Sequence, residues 1–218
     1  MTTKITPQLT KELRDRTSVG MMDCKKALEE ADGNMDKAVE LLQKRGLAKA
    51  AKKAGRIAAE GVVHSYIHGN GRIGVLLEVN CETDFAGRGA DFRTFVDDVA
   101  MHVAAMSPAY LKADEIPAEE VAKQHEIFQA QQAQSGKKPE IVVKIVDGQV
   151  NKWKQEICLM DQLFVKDDKK TIEQVRTELV AKIGENVTIR RFVRWELGEG
   201  IEKRKYDIAA DVQAMLGK

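Results

Sequence analysis

Cysteine is scarce and cannot be paired off: the 218-residue chain holds only Cys24, Cys81 and Cys158. The number is odd, the spacing is wide and no C-x-x-C occurs. That argues against a disulfide framework and fits buried free thiols in a reducing compartment. Histidine is sparse too, and His64, His68, His102 and His125 show no metal-ligand spacing with the cysteines. A zinc site is therefore not expected. No apolar run approaches the roughly 18 residues of a membrane span, and the N-terminus lacks the apolar core of a signal peptide. The expectation is a cytosolic protein or an organellar equivalent. A formal net charge of +1 and an aromatic content of 5% disfavour a dedicated nucleic-acid binder. No G-x-S-x-G, H-E-x-x-H or P-loop is present. Asp97-Asp98 and Asp167-Asp168 are adjacent pairs, and helical neighbours i and i+1 point apart rather than across a cleft. Without a convergent constellation, neither an enzyme nor a cofactor is expected, and the default is a binding protein.

What the chain does have is charge, unevenly spread. Residues 1–56 hold 13 Lys and Arg against 8 Asp and Glu, and the remainder holds 22 against 26. A basic head on an acidic body marks either a contact surface or a solvated lysine face.

The head, residues 1–46, reads as three short helices. Thr6 caps the first, with Pro7 at its first position and Leu9 and Leu13 on one face. Met21, Cys24, Leu28 and Ala31 form a single stripe on the second. Gly33-Asn34 turns the chain, Asn34 caps the third helix, and Met35, Val39 and Leu42 line it until Gly46 ends it. Residues 47–60 are Ala- and Lys-rich and read as a helical connector. Residues 61–198 form an α+β core. It opens with a hairpin in which Ile73, Val75, Leu77 and Val79 alternate as a half-buried strand should. The hairpin turn, 68–71, begins a G-x-G-x-x-G at Gly69 to Gly74. A strand follows it rather than a helix, so a pyrophosphate cradle is not expected.

Phe92, Phe95, Val96, Val99, Val103 and Met106 stripe a helix over 91–106, with His102 at the core edge. Pro117 opens another helix to about residue 134, and a turn follows at 135–138. Residues 141–146 are β-branched enough for a strand, yet their apolar positions also fit one helical face behind Pro139. Helix is the preferred reading. Thr171 and Gln174 make a capping box for a helix that Gly184 stops. Residues 187–197 read as an edge strand with Val187, Ile189, Val193 and Trp195 on one face. Residues 199–218 end in an amphipathic helix carrying Ile208, Val212 and Leu216.

The most informative stretch is Asn80-Cys81-Glu82-Thr83-Asp84-Phe85, on a strand-to-helix connection. Burying a phenylalanine is worth roughly 1.5–3 kcal/mol. Phe85 therefore either folds back into its own core or projects for a partner to cover.

Three segments carry a family resemblance. They are Thr17-Ser18-Val19-Gly20-Met21-Met22-Asp23-Cys24-Lys25-Lys26-Ala27-Leu28, Val79-Asn80-Cys81-Glu82-Thr83-Asp84-Phe85, and Ala181-Lys182-Ile183-Gly184-Glu185-Asn186. Together with Gly198-Glu199-Gly200-Ile201-Glu202-Lys203 they closely resemble the elongation factor Ts family, in order along the whole chain. The resemblance implies guanine-nucleotide exchange on elongation factor Tu. It implies a ubiquitin-associated-like three-helix head, a small antiparallel sheet packed by helices, a helical hairpin at about 117–155 and a C-terminal helix. With room for about one copy of the core, it also implies a homodimer and a two-plus-two complex. Thr83, Asp84, Phe85 and Ala86 would form the wedge that disturbs the partner's Mg²⁺ and phosphate site. Leu13, Val19, Met21 and Met22 are candidates for a head contact, or else plain head core. The family usually reads T-D-F-V-A-R-N, whereas Ala86, Gly87 and Gly89 depart from it here, which points to a looser tip. Ser18-Val19 stands where Gly-Ala is usual.

Three rival readings are an adaptor without exchange activity, a nucleic-acid chaperone working through the basic head, and a dinucleotide enzyme working through Gly69 to Gly74.

Overall fold

The computed structural model describes residues 5–17, 19–132, 136 and 138–202. The C-terminal helix expected over Ile208, Val212 and Leu216 lies outside these residues, as do Ser18, Gln134, Ser135 and Lys137.

The fold is α+β, as the sequence implies. Three helices, α1 (Pro7–Thr17), α2 (Met21–Glu30) and α3 (Met35–Lys53), form the head. Their ends follow the capping chemistry: Thr6 Oγ1 accepts from Leu9 N at 3.2 Å and Asn34 Oδ1 accepts from Lys37 N at 3.0 Å. Leu13, Cys24, Ala27, Leu28, Ala38 and Leu42 bury a small core of their own.

Gly46 does not end the third helix, which continues to Lys53. The cost of a mid-helix glycine, about 1 kcal/mol, is offset by tertiary packing. A Cβ at Gly46 would stand 3.5 Å from the Ala181 Cβ, so α3 lies close against a helix of the core. Part of the presumed connector is thus the last turns of α3, and Ala50 joins the core cluster.

Strands β1 (Glu60–His68) and β2 (Ile73–Cys81) form the expected hairpin, and Gly69 to Gly74 run through its turn into β2. A five-residue helix, α4 (Asp84–Arg88), follows directly, then α5 (Ala90–Met106). Phe92, Phe95, Val96, Val99 and Val103 of α5 are buried as its period requires, while Met106 at the last turn is exposed. Helices α6 (Ala118–Gln132) and α7 (Pro139–Ile157) pack on each other, with Pro139 at the start of α7. Residues 141–146 are therefore helical, their β-branching overridden by the Pro start and the one-sided apolar face.

A small ladder of β3 (Leu163–Phe164) and β4 (Asp167–Thr171) precedes α8 (Ile172–Ile183) and β5 (Val187–Glu196). Its Asp-Asp-Lys-Lys sequence has no apolar alternation to announce a strand. The capping box of Thr171 and Gln174 is present, and Gly184 closes α8 at φ 80°.

The main sheet has the order β1-β2-β5, antiparallel throughout. Its inner face packs on α5 and α8. One expectation for β5 is overturned. Glu78 pairs with Arg191 and Val79 with Ile189, so Arg190 is an extra residue in a bulge. The bulge shifts the alternation: Val187 and Ile189 face the core, whereas Val193 and Trp195 lie on the outer face and Phe192 takes the inner position. Arg190 and Arg191 both bond Glu78, at 2.8 and 2.7 Å, and hold its carboxyl below the usual range. The outer face consequently carries Val63, Ile67, Leu76 and Trp195, all exposed. No helix among the described residues is long and apolar enough to cross a membrane.

His102 is wholly buried on α5. Its Nδ1 accepts from Val165 N at 3.2 Å, which places the ring proton on Nε2, 3.0 Å from Gln162 Oε1. Both ring nitrogens are spent on tying the β3–β4 segment to α5, so the residue is structural. Burial lowers its pKa from the ordinary 6.5, an effect only partly countered by the Gln162 bond.

Two predictions follow from this packing. Gly46→Ala should stabilise the protein by about 1 kcal/mol in urea unfolding, because the added methyl meets only ordinary contact. Gly46→Leu should destabilise it by forcing α3 off α8. For His102 the folded pKa lies below the unfolded one, so its stabilisation is complete above about pH 6.5 and fades as pH falls. The Tm of wild type should therefore drop more steeply toward about pH 5 than that of His102→Gln. Equal slopes would mean that His102 does not contribute.

Candidate functional site: a braced aromatic tip

The end of β2 is buried, and the chain beyond it is not. Cys81 is fully buried, whereas Thr83, Asp84 and Phe85 face solvent. Helix α4 has only five residues, far too few to hold itself in water. It is held from outside. Thr83, in extended conformation, caps it by accepting from Ala86 N at 3.2 Å. Gly87 is buried against the strands: a Cβ there would stand 3.4 Å from both Cys81 Sγ and Gly61 Cα. Gly61 in turn has φ 130°, and a Cβ on it would meet Val79 O at 2.2 Å, so only glycine fits. Two glycines facing each other let α4 sit directly on β1.

Phe85 stays outside this contact. It is 84% exposed, nearly the largest exposure of any large apolar side chain described. The alternative in which it folds into its own core is therefore not the arrangement found. Asp84 pairs with Arg88 one turn on, at 3.0 Å, and both are solvent-facing. Ala86 packs partly against the core.

A second layer lies beneath the tip. Glu185 Oε2 accepts from Thr83 N at 3.0 Å, and Glu185 Oε1 accepts from Thr83 Oγ1 at 2.7 Å. Thr83 O accepts from Gly87 N at 3.2 Å and from Cys81 Sγ at 3.1 Å. Glu82 Oε1 accepts from Asn186 N at 2.6 Å, and Arg56 Nη1 approaches Glu82 Oε2 at 3.4 Å. The Asn186 backbone bond first, then Arg56, holds the Glu82 carboxyl below its usual range. Asn186 Nδ2 donates to Arg56 O at 2.9 Å, and Lys53 Nζ donates to Gly184 O. The end of α3, the α8–β5 turn and the tip are thus one hydrogen-bonded block.

The expected looseness of the tip divides between its glycines. Gly87 lies inside α4 but is fixed by its contacts, while Gly89 is extended at φ −62°, ψ 141° and caps α5. The helical penalty applies to Gly87 alone.

In the head, Leu13 is fully buried in the head cluster and presents no surface. Val19 packs partly against that cluster, and its carbonyl accepts from Cys24 Sγ at 3.5 Å. Met21 and Met22 are exposed, at 39% and 67%. The structure therefore separates these four candidates into one core residue, one at its edge and two outward-facing methionines. Sequence reasoning missed Ile57, which is 86% exposed next to the bonded Arg56. An apolar residue lacking a helical or strand period around it was the available signal.

All three cysteines are buried and free. Among the described residues no group of His, Cys, Asp and Glu is arranged to hold a metal. A cleft of about 440 Å³ is lined by residues including Lys112, Asp161, Glu173 and Arg176. Arg176 is already engaged by Glu173 and by Val187 O at 2.8 Å.

These features define an α+β protein with a three-helix head and an aromatic presented on a braced turn. The chain belongs to the elongation factor Ts family: the profile described as elongation factor TS matches residues 6–199. It is 58% identical to elongation factor Ts of Acetivibrio thermocellus over 212 residues, covering 97% of this chain and 99% of that one. The corresponding proteins of Desulforamulus reducens and Geobacter sulfurreducens are 55% and 53% identical, each across 98% of this chain and 98% and 99% of their own.

Proposed function

We propose that this protein is a guanine-nucleotide exchange factor that binds elongation factor Tu with GDP and promotes GDP release during translation elongation in the cytoplasm. The observation that carries the reading is Phe85, exposed to 84% at the head of a turn whose polar groups are largely satisfied from within. A protein that leaves a phenylalanine in water on a rigid mount forgoes roughly 1.5–3 kcal/mol of burial, and a partner that covers it recovers that free energy.

In this reading Phe85 is the buried anchor of the complex. It enters between two helices of the partner's nucleotide domain and displaces the groups that hold Mg²⁺ and phosphate. Asp84 orients the tip, Thr83 caps it and Ala86 supports it from the core side. The effect is mechanical, with no bond made or broken. Met21 and Met22, with Val19 behind them, form a second contact through the head, which is of the ubiquitin-associated kind. Leu13 contributes by building that head. The chain divides functionally into residues 1–46, 47–60, 61–198 and 199–218, with α3 tying the first three together.

The same reading includes a homodimer and a two-plus-two complex. Its support is the outer sheet face, where Leu76 lies beside Val193 on β5, and Ser65 beside Leu76 on β1. Val63 is 60%, Ile67 65% and Trp195 63% exposed on this face. An apolar area of this kind on a soluble protein marks an interaction surface, and a second copy of the same face is complementary to it in chemistry.

Two measurements test these statements. Phe85→Ala should slow release of a fluorescent GDP analogue from elongation factor Tu by roughly ten- to hundredfold, the rate equivalent of burying one phenylalanine. Acceleration that survives the mutation would move the working contact elsewhere. Trp195→Asp should convert a dimer to a monomer in sedimentation equilibrium, and a wild type that is already monomeric would remove the dimer from the proposal.

A further inference from the structure

The segment Lys182-Ile183-Gly184-Glu185-Asn186 lies a hundred residues from the tip in sequence, and the tip reading alone gives it no task. Its placement does. Gly184 ends α8 in the left-handed conformation, and the next residue, Glu185, meets Thr83 with both carboxylate oxygens. The Thr83 hydroxyl has one proton. The hydroxyl donates it in a hydrogen bond to Glu185 Oε1, because a carboxylate can only accept. The lone pairs of Thr83 Oγ1 are thereby turned to Ala86 N–H, the bond that starts α4. The second oxygen holds Thr83 N. One carboxylate thus fixes both the backbone direction and the hydroxyl orientation of the residue on which the tip helix begins.

Resting on the exchange reading above, we infer that Glu185 is a positioning residue for the Asp84-Phe85 tip: it acts through Thr83 to hold Phe85 ready for the partner. It touches neither nucleotide nor, in this role, the partner itself. Glutamine in its place keeps one accepting oxygen. It sets an amide N–H against one of Thr83's two donors, so it preserves about half of the arrangement.

The test is the rate of fluorescent GDP-analogue release from elongation factor Tu, measured against the concentration of the full-length factor. Glu185→Ala should lower the maximal rate roughly tenfold, the scale of one charge-assisted hydrogen bond. The half-saturating concentration should move by less than about threefold, because the head contact remains. Glu185→Gln should fall between alanine and wild type. In a Phe85→Ala background, Glu185→Ala should cause no further slowing, since it acts only through the tip. Glu185→Gln keeps the side chain's size at the α8–β5 turn and covers the case of a Glu185→Ala protein that does not fold. A slow Phe85→Ala beside a full-rate Glu185→Ala protein, or a full-rate Glu185→Gln protein where alanine does not fold, would overturn the positioning role alone. Further slowing by Glu185→Ala in the Phe85→Ala background would also overturn it. A full-rate Phe85→Ala would overturn the tip reading and this inference with it.

Discussion

Val75, Leu77, Val79 and Cys81 leave water together on one face of β2, while the strand's backbone bonds to β1 on one edge and β5 on the other. Each such side chain is worth about 1.5–3 kcal/mol when buried, and a one-residue slip would put all of them on the wrong face. The register of β2 is therefore strongly set, and so is the point at which it stops. Cys81 is the last core residue, and its thiol bonds Thr83 O at 3.1 Å. The tip starts two residues after the last buried residue of this strand. Its position is inherited from the core rather than built locally.

The neighbours of β2 supply the rest of the mount. Gly61 on β1 lets Gly87 approach, and Glu185 and Asn186 at the head of β5 receive Thr83 and Glu82. Both edge strands thus brace what the central strand emits. Lys53 and Arg56 extend the block to the end of α3, so the head is joined to the tip through a continuous helix and not through a flexible linker. At the far side of the sheet, Glu78 with Arg190 and Arg191 closes the apolar outer face with charge. The bulge that gathers the two arginines also turns Val193 and Trp195 outward.

Elements with a period or a cap were legible in the sequence. Alternation gave β2, the stripe gave α5, Thr171 with Gln174 gave α8, and Pro139 tipped the balance for α7. What was not legible depended on long-range contact. Gly46 reads as a helix stop until Ala181 is seen beside it. The phase of β5 changes at a bulge that only its pairing with Glu78 reveals. The β3–β4 ladder has no apolar pattern because its strands are short and largely solvated. At the candidate site, Phe85 stood out as an aromatic on a connection. Its bracing by Glu185 did not, since a hydrogen bond across about a hundred residues leaves no local signature.

Rigidity matters to how such a tip could act on a partner. Association costs about 0.5–1.5 kcal/mol for each side chain that must be ordered, and more for a loop. A tip already capped, seated on β1 and tied to β5 has its backbone in place before docking, and the exposed side chains of Asp84, Phe85 and Arg88 are what is left to order. In the proposed exchange, the free energy of covering Phe85 would then be available to displace the partner's own groups. Thermodynamic reciprocity sets the limit. In the proposed exchange, whatever factor the tip took from GDP affinity, bound GDP would take from the affinity for the tip. An exchange factor must bind strongly enough to expel GDP and still leave when the next nucleotide enters. A single exposed aromatic on a stiff mount meets that requirement better than a wide apolar surface. Its contribution is a few kcal/mol, comparable with the 1–3 kcal/mol typical of coupling between sites, and it is withdrawn in one step when the tip leaves.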